Sequence, residues 1–133
     1  MLARWYKHFK ETSPHADEFE IVFASSDQSK KEFEEYHATM PWCAIPFEER
    51  ARVEQMMSQH GVMGIPTLVV VGADGKIITK SGRSIVTADP NGQDFPWTDE
   101  KYAGGVMSGL AGLLPIVGLV MLVLVVGRMT GLF

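Results

Sequence analysis

Apolar positions recur with several different periods along the chain. Leu2, Trp5, Tyr6 and Phe9 fall at helical spacing and predict an amphipathic helix over 1–12, which Ser13-Pro14 stops. Phe19-Glu20-Ile21-Val22-Phe23-Ala24 is short, mostly apolar and partly β-branched, the pattern of a buried strand. Ser26 or Asp27 is placed to cap a helix over Lys30–His37, with Phe33 and Tyr36 on its apolar face. Met40-Pro41-Trp42 breaks the pattern. A helix over 47–60 then turns Val53, Met56 and Met57 inward and stops at Gly61. Thr67–Val71 reads as a second buried strand, and Asp74-Gly75 as the centre of a hairpin turn over 73–76. Residues 76–79 form the returning edge strand, and Gly82–Ala88 a short helix. A turn follows at Asp89-Pro90-Asn91-Gly92, and Phe95-Pro96-Trp97 docks back on the core. The order of elements predicts the second half of an α/β domain over 1–97.

The C-terminus breaks with this pattern. From 102 to 127 there is no charged residue, and 105–127 is almost entirely Leu, Val, Met, Ile and Gly. At 1.5 Å per residue that run reaches about 34 Å as a helix, enough for a hydrocarbon core of about 30 Å. It predicts one transmembrane helix over 105–127, behind a linker over 98–104 and ahead of a short tail over 128–133. Pro115 is compatible with such a helix. A span so close to the end implies a tail-anchored protein with its soluble part facing the cytosol, at the endoplasmic reticulum or the mitochondrial outer membrane. Gly105-x-x-x-Gly109 and Ser108-x-x-x-Gly112 offer a weak signal for a helix-mediated homodimer.

Charge and cysteine count narrow the chemistry. Residues 1–101 hold eleven of the twelve basic and all sixteen acidic residues, a net charge of −5, and the whole chain carries −4. An acidic chain lacks the basic footprint of a nucleic-acid-binding protein. One cysteine in 133 residues forms no internal disulfide and no cysteine-rich zinc site. His8, His15, His37 and His60 share no metal-ligand spacing, so no metal and no cofactor is expected.

Five segments then agree in order and spacing with one family. They are Glu20-Ile21-Val22-Phe23-Ala24-Ser25-Ser26-Asp27, Met40-Pro41-Trp42-Cys43-Ala44-Ile45-Pro46-Phe47, Gly61-Val62-Met63-Gly64-Ile65-Pro66-Thr67-Leu68, Asp74-Gly75-Lys76, and Asp89-Pro90-Asn91-Gly92-Gln93-Asp94-Phe95-Pro96-Trp97. Over 1–97 the chain resembles the tryparedoxin/nucleoredoxin branch of the thioredoxin superfamily. The resemblance implies a thioredoxin-like fold and thiol–disulfide exchange with disulfide-containing proteins or peroxidases as substrates. It also implies a Trp-Cys-Pro-Pro-Cys motif at the start of the first helix, where the helix field lowers a thiol pKa. That motif is not in this sequence, so no catalytic residue is assigned. Pro66 matches the family's cis-proline facing the dithiol, and the backbone of Ile65 is then the edge that pairs with substrate. Trp42 and Trp97 are expected in the core or at the border of the site. Cys43 stands where the family usually has leucine and is expected to be buried and inert.

The resemblance also implies an incomplete sheet. The family's central strand precedes the dithiol and lies between the strands matched by 19–24 and 67–71. Without it those strands stand two spacings apart, about 9.6 Å, and residues 1–101 alone lack a stable fold unless a partner supplies the strand. Three readings of function follow: a tail-anchored thiol–disulfide oxidoreductase whose dithiol lies outside this sequence, a non-catalytic membrane-anchored binding module, or an inactive truncated product.

Overall fold

The computed structural model describes residues 1–62, 67–72, 75–98, 100–103 and 120–126. The first apolar stripe forms α1 (Leu2–Thr12), which buries Trp5, Tyr6 and Phe9. Its last turn closes with the Ser13 N–H on the Phe9 carbonyl at 2.9 Å, and Pro14 offers no N–H to continue it. A 3₁₀ turn (Ala16–Glu18) reverses the chain into β1 (Phe19–Ser25). The helix α2 (Lys30–His37) is capped by Ser29, whose Oγ accepts from the Glu32 N–H at 3.2 Å, rather than by Ser26 or Asp27. Asp27 is instead buried, accepting a hydrogen bond from the Ser25 hydroxyl.

A two-residue strand, β2 (Cys43–Ala44), pairs parallel with β1 and was too short to show in the hydropathy pattern. The next helix, α3 (Arg50–Gln59), begins later than expected because 46–49 fold into a turn, with the Glu49 N–H on the Pro46 carbonyl at 3.0 Å. The strands β3 (Thr67–Val71) and β4 (Ile77–Thr79) form the antiparallel hairpin, turning through Gly75 at φ +81°. Gly82 opens α4 (Gly82–Ala88) against β3, where a Cβ would stand 2.7 Å from the Leu68 carbonyl oxygen. Within the expected linker, α5 (Glu100–Ala103) is a single helical turn tied to Asp94 by Lys101 at 2.5 Å and Tyr102 at 2.6 Å.

The sheet corrects two expectations at once. It has five strands in the order β2-β1-β5-β3-β4, and its centre is β5 (Val120–Val126). The transmembrane helix expected over 105–127 is therefore not formed over 120–126. The rest of that range, with the Gly105 and Ser108 motifs, and the tail over 128–133 lie outside the described residues. Among the described residues no helix is long and apolar enough to cross a membrane. A short uniform apolar run reads alike as buried strand or buried helix. Here Val at four of the seven positions favours the strand, as does a slot with unpaired edges on both sides.

The sheet is thus not left with a gap. Phe19–Ser25 pairs antiparallel with all seven residues of β5, and Thr67–Val71 pairs parallel with residues 121–125. A strand reaching β1 through α1 would form a β-α-β unit and run parallel to β1. The C-terminal strand fills that place in the opposite direction.

Both faces of the central strands are covered. Phe19, Ile21, Phe23, Leu68 and Val70 face one core with Trp5, Tyr6, Phe9, Ile85 and Trp97. Val22, Ala24, Val69 and Val71 face the other with Ile45, Val53 and Met56. The period of two along β1 and β3, apolar on both sides, is the signature of interior strands.

Candidate functional site

The family-derived site residues Ile65 and Pro66, and with them the cis-proline expectation, lie outside the described residues. The segments around them are placed. Gly61 ends α3 with φ +58°, and the Val62 N–H bonds the Met57 carbonyl at 2.9 Å. Thr67 then starts β3 opposite Met121, at the end of the sheet where Ser25 pairs with Val120. The chain turns back between α1 and β1, with Phe9 and Phe19 in ring contact at 4.8 Å. The N-terminus of α1 therefore points away from the beginning of β1. Met1, its first flanking residue, is 85% exposed and makes no side-chain cap.

At the end of β1 the structure assembles a polar cluster that the pattern of residue types did not single out. The Ser25 Oγ donates to the Asp27 Oδ2 at 2.7 Å and accepts from the Asp27 N–H at 2.8 Å. Arg50, from the start of α3, donates through Nη1 to the Ser25 and Asp27 carbonyls at 2.9 and 3.2 Å, and through Nε to the Phe47 carbonyl at 2.7 Å. Its guanidinium lies 4.4 Å from the centre of the Phe47 ring. Asp27 Oδ1 and Arg50 Nη2 are buried without a hydrogen-bond partner among the described residues. The cluster pins the end of β1 to α3 with charge-assisted bonds, the stronger class of hydrogen bond.

Trp42 and Trp97 are core residues. Trp42 meets Tyr6 edge-on at 5.5 Å, and Trp97 is completely buried against Trp5, Phe9 and Phe95. The segment that holds Trp97 is organised by the buried Asp89 carboxylate. It accepts from the Gln93 and Asp94 N–H groups, both at 2.9 Å, and from the Trp97 Nε1–H at 2.8 Å. The Asp89 carbonyl accepts from Trp5 Nε1 at 3.1 Å, which joins the segment to α1.

Cys43 requires a correction: it is exposed, not buried. β2 is an edge strand, and Trp42 and Ile45 on either side of Cys43 fill the two cores, leaving Cys43 open to solvent. Nearby, the Tyr6 hydroxyl donates to Glu20 at 2.6 Å. Burial first, then this bond to a carboxylate, pushes the Tyr6 pKa well above the ordinary phenol value. Lys10 pairs with Glu20 at 3.3 Å and donates to the Ala16 and Phe19 carbonyls.

The four histidines serve local roles. His8 meets Asn91 at 3.2 Å, His15 meets Glu18 at 2.7 Å, and His37 and His60 contact the Trp42 and Met56 carbonyls. Among the described residues no group of three or more His, Cys, Asp or Glu is placed to hold a metal ion. A groove of about 460 Å³ between the end of α1 and the 91–93 turn is lined by His8, Thr12, His15, Asn91 and Gln93.

Residues 1–77 match the thioredoxin-like protein family. Tryparedoxin of Trypanosoma brucei brucei is 41% identical over 90 residues, which is 67% of this chain and 62% of that protein. Nucleoredoxin of Danio rerio is 38% identical over 109 residues, 81% of this chain and 26% of the relative. The chain thus spans about a quarter of that nucleoredoxin. Among solved structures, tryparedoxin II complexed with glutathionylspermidine is 42% identical, with a TM-score of 0.64 over 74% of this chain and 66% of that one. Tryparedoxin from Trypanosoma brucei is 36% identical, with a TM-score of 0.61 over 72% of this chain and 67% of that one.

Proposed function

The chain belongs to the thioredoxin-like family, in its tryparedoxin and nucleoredoxin branch, and on that footing we propose that it is the scaffold part of a thiol–disulfide exchange protein. In such exchange a thiolate attacks one sulfur of a substrate disulfide, giving a mixed disulfide and releasing a thiolate. A second thiol of the same protein then resolves the mixed disulfide. Two electrons pass to the substrate, and the dithiol becomes a disulfide. The single Cys43 supplies no such pair, and the proposal takes the family's place for the dithiol, ahead of α1, as the place of the nucleophile. Ile65 and Pro66 are proposed as the substrate-binding edge, and a low-molecular-weight thiol such as glutathionylspermidine as the class of exchange partner. The observation that supports this most directly is the likeness to tryparedoxin II in complex with that thiol, at 42% identity.

A chimera tests the reading. The residues that precede the matched segment of the Trypanosoma brucei brucei tryparedoxin are placed ahead of Leu2, and the chain is ended after Ala103 to leave the central slot open. It is expected to reduce a disulfide substrate, and to lose that activity when the first motif cysteine becomes serine. A folded chimera without exchange contradicts the proposal.

The non-catalytic alternative is favoured by one observation, the exposure of the only cysteine on an edge strand with no second thiol. In that case the chain binds a disulfide or peptide ligand and turns nothing over.

A further inference from the structure

We propose that the groove between the end of α1 and the 91–93 turn binds a divalent transition-metal ion through His8 and His15. The inference does not depend on the redox reading. Seven positions apart, the two histidines follow no ligand spacing. The fold joins them: Ser13-Pro14 ends α1, and His15, beyond the helix, lines the same groove as His8.

Each imidazole already has one nitrogen engaged. His8 Nε2 lies 3.2 Å from Asn91 Oδ1, and His15 Nδ1 lies 2.7 Å from Glu18 Oε2. Both oxygens only accept, so those nitrogens carry the ring protons. A neutral ring then keeps its lone pair on the other nitrogen, Nδ1 of His8 and Nε2 of His15. Metal-ligating histidines are commonly held in this way, with one N–H on an oxygen that fixes the tautomer and the ring orientation. Phe95 stacks on the His15 ring at 4.9 Å and holds its plane.

The surroundings select the charge of the ligand. Among the described residues no Lys or Arg lines the groove. The C-terminal end of the eleven-residue α1 adds partial negative charge. The Gly92 and Gln93 N–H groups are taken by Asp89, so they are not offered to an anion. A cation therefore fits, and imidazole nitrogen suits Zn²⁺, Cu²⁺ or Ni²⁺, whereas Mg²⁺ and Ca²⁺ take oxygen. Among the described residues no group of three or more His, Cys, Asp or Glu forms a closed site. Water then fills the remaining positions, and the ion is exchangeable rather than structural.

The test titrates the full chain, with its thiol reduced, with Zn²⁺ by calorimetry. His8→Gln, His15→Gln, His60→Gln and Cys43→Ser are titrated beside it. His8 is exposed and the His15 side chain is 44% exposed, so the groove variants should keep the wild-type thermal transition. One equivalent of Zn²⁺ is expected to bind, with no competition from excess Mg²⁺. Changes to a ligand's supporting partners alone cost about 10–100-fold in affinity, so losing either histidine should cost at least about tenfold. His60→Gln and Cys43→Ser should match wild type. Substoichiometric Cu²⁺ should broaden the NMR signals of residues 8, 15 and 91–93 before those of 43 and 60. The absence of saturable Zn²⁺ binding would overturn the proposal, as would binding that survives both groove substitutions or yields to Mg²⁺. Binding that Cys43→Ser or His60→Gln weakens instead, or broadening centred on those residues, would equally overturn it.

Discussion

Replacing Asp89 by alanine tests the packing account where it is most specific. The carboxylate is 6% exposed and accepts three hydrogen bonds, from the Gln93 and Asp94 backbone and from the Trp97 indole. Alanine leaves the fully buried Trp97 Nε1–H without a partner, at a cost of about 1–3 kcal/mol. The two backbone bonds are partly exposed, so water replaces some of their value, and their loss adds roughly 1 kcal/mol each. The sum, about 3–5 kcal/mol, is a large share of a net stability of about 5–15 kcal/mol. Equilibrium urea unfolding followed by tryptophan fluorescence measures it, and the melting temperature should fall by roughly 10–20 °C. Trp97→Phe removes the indole donor but keeps an aromatic ring, so Asp89→Ala should cost less on that background than in the wild type. An Asp89→Ala variant within about 0.5 kcal/mol of wild type, the range of an ordinary surface substitution, would refute the assignment of Asp89 as the organiser of this segment.

Three further outcomes are expected. Gly92 has φ +64°, and a Cβ there would stand 2.4 Å from the Phe9 ring, so Gly92→Ala should lower stability by about 2 kcal/mol or more in the same unfolding assay. The raised Tyr6 pKa gives a pH dependence with a definite sign. Its contribution is complete below the unfolded phenol value, about pH 10, and is lost as the pH rises towards the folded value, because only the unfolded chain ionises there. Alkaline titration of stability should therefore fall less steeply for Tyr6→Phe than for wild type. Cys43 is exposed, so one equivalent of a thiol reagent should react with the native chain at nearly the rate of the urea-unfolded chain.

The parts of the fold that repeat a strong local pattern were legible in the sequence. The Trp5, Tyr6 and Phe9 stripe of α1 lies on the core as expected, and β1, β3, β4 and α4 lie where the runs and turns placed them. What escaped depended on partners distant in sequence. β2 exists only because β1 offers it an edge. Cys43 is exposed on β2, an edge strand of the sheet, which its apolar neighbours do not reveal. Asp27 looked like a helix cap but is drawn inward by Ser25, leaving Ser29 to cap α2. The largest miss, β5, is a run whose hydropathy suits lipid and protein interior equally. Only the slot between β1 and β3, itself foreseen as a gap, decides between them. At the end of β1, the Arg50 cluster joins residues more than twenty positions apart and has no local signature. Ile65 and Pro66 rest solely on the family resemblance and lie outside the described residues.

The most direct test of the central claim is to read the transcript's frame upstream of Met1 and assay the product it encodes. The account predicts a strand followed by Trp-Cys-x-x-Cys joined to α1, and reduction of a disulfide substrate that is lost when the first of those cysteines is replaced by serine. A stop codon immediately upstream, or an extended product with no cysteine pair, would contradict it.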